Sequence, residues 1–158
     1  MRSKKSDGKT PVSKGEYEVL AAFRYALRQF MHFSEEAALS MGLTPQQHQA
    51  LLAVKGFPGR DRVTIGELAE RLQIKHHSAV GLVNRLVTQG LMVREADEQD
   101  RRQVFVSVTD YGEDVLAKLS VAHREELNRI GPHLNQLFRR LEGVSLYPAA
   151  ASMPGHSQ

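Results

Sequence analysis

The sequence predicts a mainly α-helical fold with one β-hairpin near the middle of the chain. Apolar residues recur at helical spacing in several segments, and most of these segments follow a residue that caps helices well. Within "READEQDRRQVFVSVTDYG", by contrast, apolar and polar residues alternate with the period of two that is typical of a half-buried strand. Two short helices followed directly by such a hairpin indicate a winged helix-turn-helix.

Helix boundaries follow from capping patterns and from the apolar periodicity. The predicted helices lie near 14–40, 45–55, 64–72, 75–90, 110–130 and, after a break at "GPH", 132–142. Four of them begin at a capping-box pattern, in which Ser, Thr or Asp is followed three residues later by Glu or Gln: Ser13, Thr44, Thr64 and Asp110. Pro45 stands in a first turn, where a proline is tolerated.

The predicted hairpin has strands near 91–96 and 103–109 that enclose a short polar tip. The two ends of the chain are predicted to be disordered, as a basic arm (1–13) and a tail (143–158). Small and turn-forming residues there bury little apolar surface, which is the reason for this prediction.

The composition limits the classes of function. With no cysteine in the chain, disulfides, thiolate catalysis and thiolate metal sites are excluded. No apolar run approaches the length of a membrane span and the charged N-terminus lacks the apolar stretch of a secretory signal, so we expect a cytoplasmic protein with no membrane partner. The net charge of +3 is no argument for a nucleic-acid partner, because the first 14 residues alone carry +4 and the remainder carries −1.

The second helix of the helix-turn-helix, within "GELAERLQIKHHSAVGLVNRL", has an apolar and a polar face. At about 100° per residue, the polar face collects His77, Ser78, Gly81, Asn84, Arg85 and Thr88. Such a face suits a DNA major groove about 12 Å wide, although any surface helix has a polar side. Gly81 costs about 1 kcal/mol relative to alanine; close approach of a ligand would explain it, and a tolerated neutral glycine is the alternative.

With this helix-turn-helix and hairpin, the chain resembles the MarR family of bacterial transcriptional regulators over roughly residues 14–142. The most specific part is "LVNRLVTQGLMVREADEQDRRQVFVSVTDYG". It has a leucine-rich helix end, Gly-Leu, an arginine after the strand, Asp-Arg-Arg, and a threonine with glycine three residues on, in the family's order. The resemblance implies an obligate homodimer with dimerisation helices at 14–40 and 110–142. It also implies that a portion at about 45–109 reads a pseudo-palindromic operator in double-stranded DNA.

The resemblance also implies roles for the arginines of the hairpin. The wing-tip arginine of the family enters the minor groove; Arg102 matches that position, and Arg101 would lie beside it near phosphate. Arginine suits a narrow groove because its charge is permanent and its planar head is weakly hydrated. Asp100 is interpreted as a residue that pairs with Arg102 or Arg85 and orients it. Solvated hairpin charges that neutralise one another are the alternative.

Two departures from the family pattern bear on base recognition. Gly81 replaces the larger side chain that many members carry in mid-helix, and Asn84 replaces an aspartate. Base contacts are therefore expected from the start of the helix and from two residues further along it: His76, His77, Ser78, Asn84 and Arg85.

An effector site is expected between the dimerisation layer and the winged domain, where the family usually binds small molecules. The plausible lining residues are Tyr25, Gln29, His32, Phe33 and His48. An aromatic or phenolic effector that weakens operator binding would make the protein a repressor relieved by its ligand. Ordinary core packing of these aromatic residues is the alternative.

Three other functions compete with this prediction. A metal-responsive regulator of the same fold would use some of the seven histidines, but no H-x-x-x-H spacing occurs and no cofactor or metal is expected. A winged-helix module that binds only proteins would present an apolar face, which the His77, Asn84 and Arg85 face argues against. No phosphate loop or nucleophile elbow indicates an enzyme.

Overall fold

A computed structural model describes residues 11–142 of the 158-residue chain. In chain order its elements are α1 (Lys14–Ser40), α2 (Pro45–Lys55), β1 (Arg62–Thr64), α3 (Ile65–Leu72), α4 (His76–Thr88), β2 (Met92–Ala96), β3 (Val104–Val108) and α5 (Asp110–Glu142). The predicted mainly helical, winged helix-turn-helix fold is confirmed. The predicted disorder of the tail and of most of the arm falls outside the described residues. Among residues 11–142 there is no helix with the length and apolar character that a membrane crossing needs.

Three of the four predicted capping boxes are present. At the start of α2, Thr44 Oγ1 accepts the Gln47 N–H at 3.2 Å, and Gln47 Oε1 accepts the Thr44 N–H at 2.9 Å. The boxes at Ser13 and Thr64 have the same reciprocal bonds. The fourth prediction is wrong by one residue, since Thr109 rather than Asp110 caps α5.

The first turn of α5 is locked against the turn between α4 and β2. Thr109 Oγ1 accepts the N–H of Gly112 at 3.0 Å and donates to the carbonyl of Gly90 at 2.6 Å. The Thr109 N–H donates to the carbonyl of Leu91 at 3.1 Å. Thr109 can therefore cap α5 and hold the preceding turn at once, whereas Asp110 lies inside the helix, where its charge faces the positive end of the helix dipole.

The predicted helix break at Gly131 and Pro132 is also wrong, because α5 continues unbroken to Glu142. Proline fixes φ near −65°, which is a helical value, so its penalty is one missing hydrogen bond and crowding of the preceding turn. Apolar spacing continues beyond Pro132 to Leu137, which is 2 % exposed. Burial of Leu137 helps to offset that penalty.

A third strand, β1, was not predicted. It pairs antiparallel with β3, and β3 pairs antiparallel with β2, giving the order β1-β3-β2. Val63 lies opposite Val106, and both are almost fully buried. Three residues are too few to show an alternating pattern in the sequence. The strand anchors the hairpin to the segment that leads into α3.

The chain forms two compact units. The larger, Met31–Leu127, contains the helix-turn-helix and the hairpin, and its largest fully buried side chains are Leu51, Leu68, Leu82, Leu86, Met92, Val54, Val63, Val83 and Val106. In the other unit, the described residues 11–30 and 128–142 bring the rings of Phe23 and Phe138 within 5.5 Å, measured between centroids.

Candidate nucleic-acid interface

The helix-turn-helix is formed by α3 and α4. Helix α3 ends at Gln73, whose left-handed backbone (φ 53°, ψ 43°) turns the chain toward α4. Helix α4 buries one side against the core of the larger unit through Ala79, Leu82, Val83 and Leu86. The predicted apolar face is therefore confirmed, and packing of that face determines which side of α4 remains outside.

The outer side of α4 brings the predicted DNA-reading residues together. Its exposed members are His76, His77, Ser78, Asn84, Arg85 and Thr88. The histidines and the serine lie in the first turn, where backbone N–H groups and the positive end of the helix dipole favour an anionic partner. The arrangement offers mainly donors with little side-chain bulk.

Gly81 is half-buried on this same surface. A Cβ added there would lie 3.6 Å from Nη1 of Arg85, which is an ordinary van der Waals contact. The fold of the chain therefore has room for alanine at this position.

Arg94 on β2 connects the hairpin to α4. Its guanidinium donates a hydrogen bond to Oδ1 of Asn84, and both residues are exposed. The Thr88 hydroxyl donates to the backbone carbonyl of Asn84 at 2.9 Å and does not bond to the Asn84 side-chain amide. The sequence placed Arg94 in a motif but gave no sign of its partner, because the two residues lie on different elements.

The wing tip connects β2 to β3 and exposes both Arg101 and Arg102. The Arg102 backbone N–H donates to Oδ1 of Asp100 at 3.0 Å, and the Gln103 N–H donates to the Asp100 carbonyl at 2.9 Å. Within residues 11–142, no ion pair joins Asp100 to Arg102 or Arg85, so the structure differs from the expected pairing. An aspartate at the start of a tight turn readily accepts the N–H two residues on. Asp100 thus stabilises the turn, and the guanidiniums of Arg101 and Arg102 stay exposed to solvent.

The base of the wing is covered on its outer face. The guanidinium of Arg62 lies 4.4 Å from the centroid of the Phe105 ring and 4.0 Å from the carboxylate of Glu95. Ser107 Oγ donates to Glu95 Oε1 at 2.9 Å. Phe105 is consequently only 7 % exposed. These contacts hold the hairpin stiff below its tip.

The predicted effector residues are not assembled into one group. Gln29 Nε2 donates to the Tyr25 hydroxyl at 3.2 Å, and both residues are exposed. His32 is also exposed and lies 3.2 Å from the carboxylate of Glu36. These three side chains therefore have local partners on α1.

Phe33 and His48 meet at a third residue, His123, that the sequence did not single out. The His123 ring lies 4.7 Å from the ring of His48 and 5.4 Å from that of Phe33. Its Nδ1 donates to the Leu119 carbonyl at 2.7 Å and its Nε2 bonds to Ser34 Oγ at 2.8 Å. Burial, together with the nearby His123, lowers the pKa of the His48 imidazole, which is 3 % exposed. The three rings thus pack against one another within the larger unit.

Metal binding finds no support in the described part of the chain. Within residues 11–142, no three His, Asp or Glu side chains are arranged so that they could hold an ion. His76 and His77 are adjacent on α4 and both point into solvent.

Comparison with known sequences identifies the segment that carries this interface. Residues 41–103, from the start of the α1–α2 turn to the end of the wing tip, match the family model described as the MarR family. The putative transcriptional regulatory protein for the hcr operon of Thauera aromatica is 29 % identical over 93 residues, which are 59 % of this chain and 54 % of that protein. The HTH-type transcriptional repressor MdtR of Bacillus subtilis is 31 % identical over 86 residues, 52 % of this chain and 54 % of that protein. The chain thus spans about half the length of these curated relatives.

Solved structures share the fold over most of the chain. AbsC, a MarR family transcriptional regulator from Streptomyces coelicolor, superimposes with a TM-score of 0.67 at 21 % identity and covers 87 % of this chain and 94 % of its own. A mutant of MepR from S. aureus, bound to an oligodeoxyribonucleotide, gives a TM-score of 0.61 at 19 % identity over 81 % of this chain and 94 % of its own. Residues 41–103 are thus similar to the MarR family, and most of the chain shares the fold of AbsC.

Proposed function

We propose that the chain is a sequence-specific, double-stranded-DNA-binding transcriptional regulator, and that it is a repressor whose operator binding is weakened by a small molecule. The observation that carries the proposal is the exposed polar face of α4 beside an arginine-tipped wing. The names of its relatives support the regulatory role, since two are described as a transcriptional regulatory protein and a transcriptional repressor. The oligonucleotide-bound MepR mutant, with the same fold, supports DNA as the partner.

In this proposal α4 enters the major groove and presents its first turn and its mid-helix polar residues to base edges. His76, His77 and Ser78 lie at the end of the helix that favours phosphate and base acceptors. Asn84 and Arg85 follow two turns later on the same side. Base contacts supply the sequence preference, and contacts to phosphate supply most of the salt-dependent affinity.

The wing would follow the DNA backbone and place Arg102 in the minor groove. The hydrogen bond from the Arg102 backbone N–H to Oδ1 of Asp100 fixes the position of the Arg102 backbone, from which that side chain extends. Because a minor groove carries little sequence information but a strong negative potential, Arg102 contributes affinity and register. Arg101, beside it, is placed to contact a phosphate.

A homodimer is part of the proposal, because a pseudo-palindromic site needs two equivalent reading heads. Exposed apolar side chains support it. On α1 they form a stripe, here called the α1 stripe, of Tyr17, Leu20, Leu27 and Met31. On α5 they include Val121, Leu127 and Phe138. Large apolar side chains at this density mark a surface that another chain covers.

Relief by an effector requires a ligand that favours a spacing of the two α4 helices that no longer fits successive major grooves. Effectors of this kind supply about 1–3 kcal/mol of coupling. Small aromatic molecules are the proposed class, and Phe33 with His48 is the proposed contact region. Screening such molecules for loss of operator binding tests this finer step separately.

The test of the main proposal is selection of bound duplexes from a random pool at near-physiological salt, followed by sequencing. We expect an inverted repeat with half-site centres about 10 base pairs apart. The Arg85→Ala variant should lose enrichment, whereas Arg139→Ala, a change at an exposed arginine of α5 outside the interface, should not. A folded wild-type dimer that enriches no sequence would overturn the proposal.

A further inference from the structure

The side-chain amide of Asn84 has only one orientation that its neighbour permits. The atom that faces the guanidinium of Arg94 is Oδ1. A guanidinium has five N–H donors and no acceptor, so only the amide oxygen, and not the NH₂ group, can bind it. The orientation of the amide is therefore determined by chemistry, and its NH₂ group is turned away from β2.

The NH₂ group of Asn84 is available to a partner. Within residues 11–142 no hydrogen bond from Nδ2 of Asn84 is formed, and the residue is exposed on the outer face of α4. The neighbouring Thr88 hydroxyl is engaged with the backbone carbonyl of Asn84, so it does not compete for the amide. What α4 presents at this position is a pair of N–H donors.

An asparagine that is free to turn recognises adenine best, because its oxygen accepts from N6 while its NH₂ donates to N7. When the oxygen is held by a guanidinium, that two-bond match is lost. The remaining NH₂ donors fit guanine, whose O6 and N7 are both acceptors on the major-groove edge. Cytosine presents a donor there and would meet the NH₂ unfavourably.

We propose that Arg94 holds Asn84 as a hydrogen-bond donor, and that Asn84 thereby selects guanine over adenine at one position of each half-site. The inference rests on the proposed DNA-binding function and deepens it. Arg94 acts through Asn84 and is a positioning residue. It contacts no base itself, since its guanidinium is turned to α4.

Two variants separate the donor from the residue that orients it. Asn84→Asp keeps an oxygen for Arg94 and the same shape but has no N–H to offer. Arg94→Met keeps most of the side-chain length but frees the amide to turn over. Arg94→Lys retains a donor that can hold the amide oxygen, and Arg139→Met removes an exposed arginine of α5, outside the interface, as a control.

The experiment measures the affinity of each variant for operator duplexes that differ at single base pairs, after selection has defined the operator. For Arg94→Met we expect the guanine-over-adenine affinity ratio to fall at one position per half-site by about five-fold or more, with other positions unchanged. Asn84→Asp should lose the guanine preference at the same position. Arg94→Lys should retain it in large part, and Arg139→Met should retain it fully.

Two results overturn the inference while leaving the proposed function intact. One is an Arg94→Met protein that binds every duplex more weakly by the same factor. The other is an unchanged ratio at the position where Asn84→Asp acts. If Arg94→Met does not fold, as judged by its circular dichroism and melting curve, the ratio measured for Arg94→Lys against Asn84→Asp decides the matter. A wild-type protein that selects no sequence overturns the proposed function and the inference together.

Discussion

Gly112 in the first turn of α5 faces the carbonyl oxygen of Leu91 so closely that an added Cβ would lie 2.2 Å from that oxygen. The Cγ1 of Val108 would be only 2.7 Å away. Backbone on one side and a β-branched side chain on the other leave no room for adjustment. This contact explains why a glycine follows Thr109 at this spacing.

We therefore expect Gly112→Ala to lower the free energy of unfolding by at least about 2 kcal/mol, as overpacking of a close backbone contact does. The measurement is urea denaturation followed by circular dichroism. Gly66→Ala is the matched control, because a Cβ there would be 3.9 Å from its nearest neighbour and α3 should gain up to about 1 kcal/mol. Equal stabilities for the two variants would contradict this account of the α5 junction.

Gly81→Ala should separate stability from DNA binding. The added methyl group fits beside Arg85, so the free protein should become more stable by up to about 1 kcal/mol. If DNA approaches the helix backbone here, operator affinity should fall by on the order of ten-fold, equivalent to about 1.4 kcal/mol. Paired melting curves and binding isotherms measure both quantities. Unchanged affinity would identify Gly81 as a neutral glycine.

Arg102→Ala should weaken operator binding without altering the preferred half-site, because charge contacts position a protein while base contacts specify. The slope of log affinity against log salt should become shallower by about 1 if one phosphate-region charge is lost. Fluorescence anisotropy at several salt concentrations gives the slope, with Arg139→Ala as control. A shifted sequence preference would assign Arg102 a base-reading role.

Stability should depend on pH through His48. Burial holds the pKa of this imidazole below its ordinary value of 6.5, so between the two values the unfolded chain binds a proton that the folded chain does not. The contribution of the neutral His48 imidazole to the free energy of unfolding is therefore fully present above about pH 6.5 and is lost as the pH falls below that value. Unfolding free energies from pH 8 to pH 5 should drop less steeply in His48→Leu than in wild type. An equally steep fall in His48→Leu and in wild type would contradict this role of His48.

The α1 stripe should decide oligomeric state. Leu20→Arg places a charge in the stripe and should shift the protein from dimer toward monomer, since a charge inside an apolar interface loses its hydration. Glu18→Arg, at an exposed position on the other side of α1, should leave the dimer intact. Sedimentation velocity at micromolar concentration distinguishes the two states. A monomeric wild type would remove the dimer from the proposed function.

Much of the fold was predictable because its signals are local. The boxes at Thr44 and Thr64 lie within four residues of chain, and the burial of Leu82 and Leu86 follows from helical spacing alone. The helix start at 110 was predicted correctly, but its capping residue was not, because the choice between Thr109 and Asp110 depends on Gly90 and Leu91, which belong to another turn. Local propensity carries no information about such a contact.

The candidate interface was predictable to a similar limit. Exposure of Asn84, Arg85 and Arg102 follows from helical and hairpin periodicity. The bond between Arg94 and Asn84 and the seating of Asp100 against the backbone do not, because each depends on how a side chain is oriented in the folded protein. The contacts of His123 were also not predictable, because its partner Ser34 is 89 residues away in the sequence.

The bond between the Thr109 hydroxyl and the Gly90 carbonyl closes the chain where the wing leaves the fold and returns to it. The segment between them is therefore a cassette with both ends fixed at one place. Insertions or deletions at its tip would alter the length of the wing without moving α4 or α5. Surface loops tolerate such changes of length at small entropic cost. Changes of length confined to the tip would leave the buried Met92 and Val106 and the pairing of β3 with β1 in place. The proposed reach of the wing along DNA can therefore vary independently of the proposed base recognition by α4.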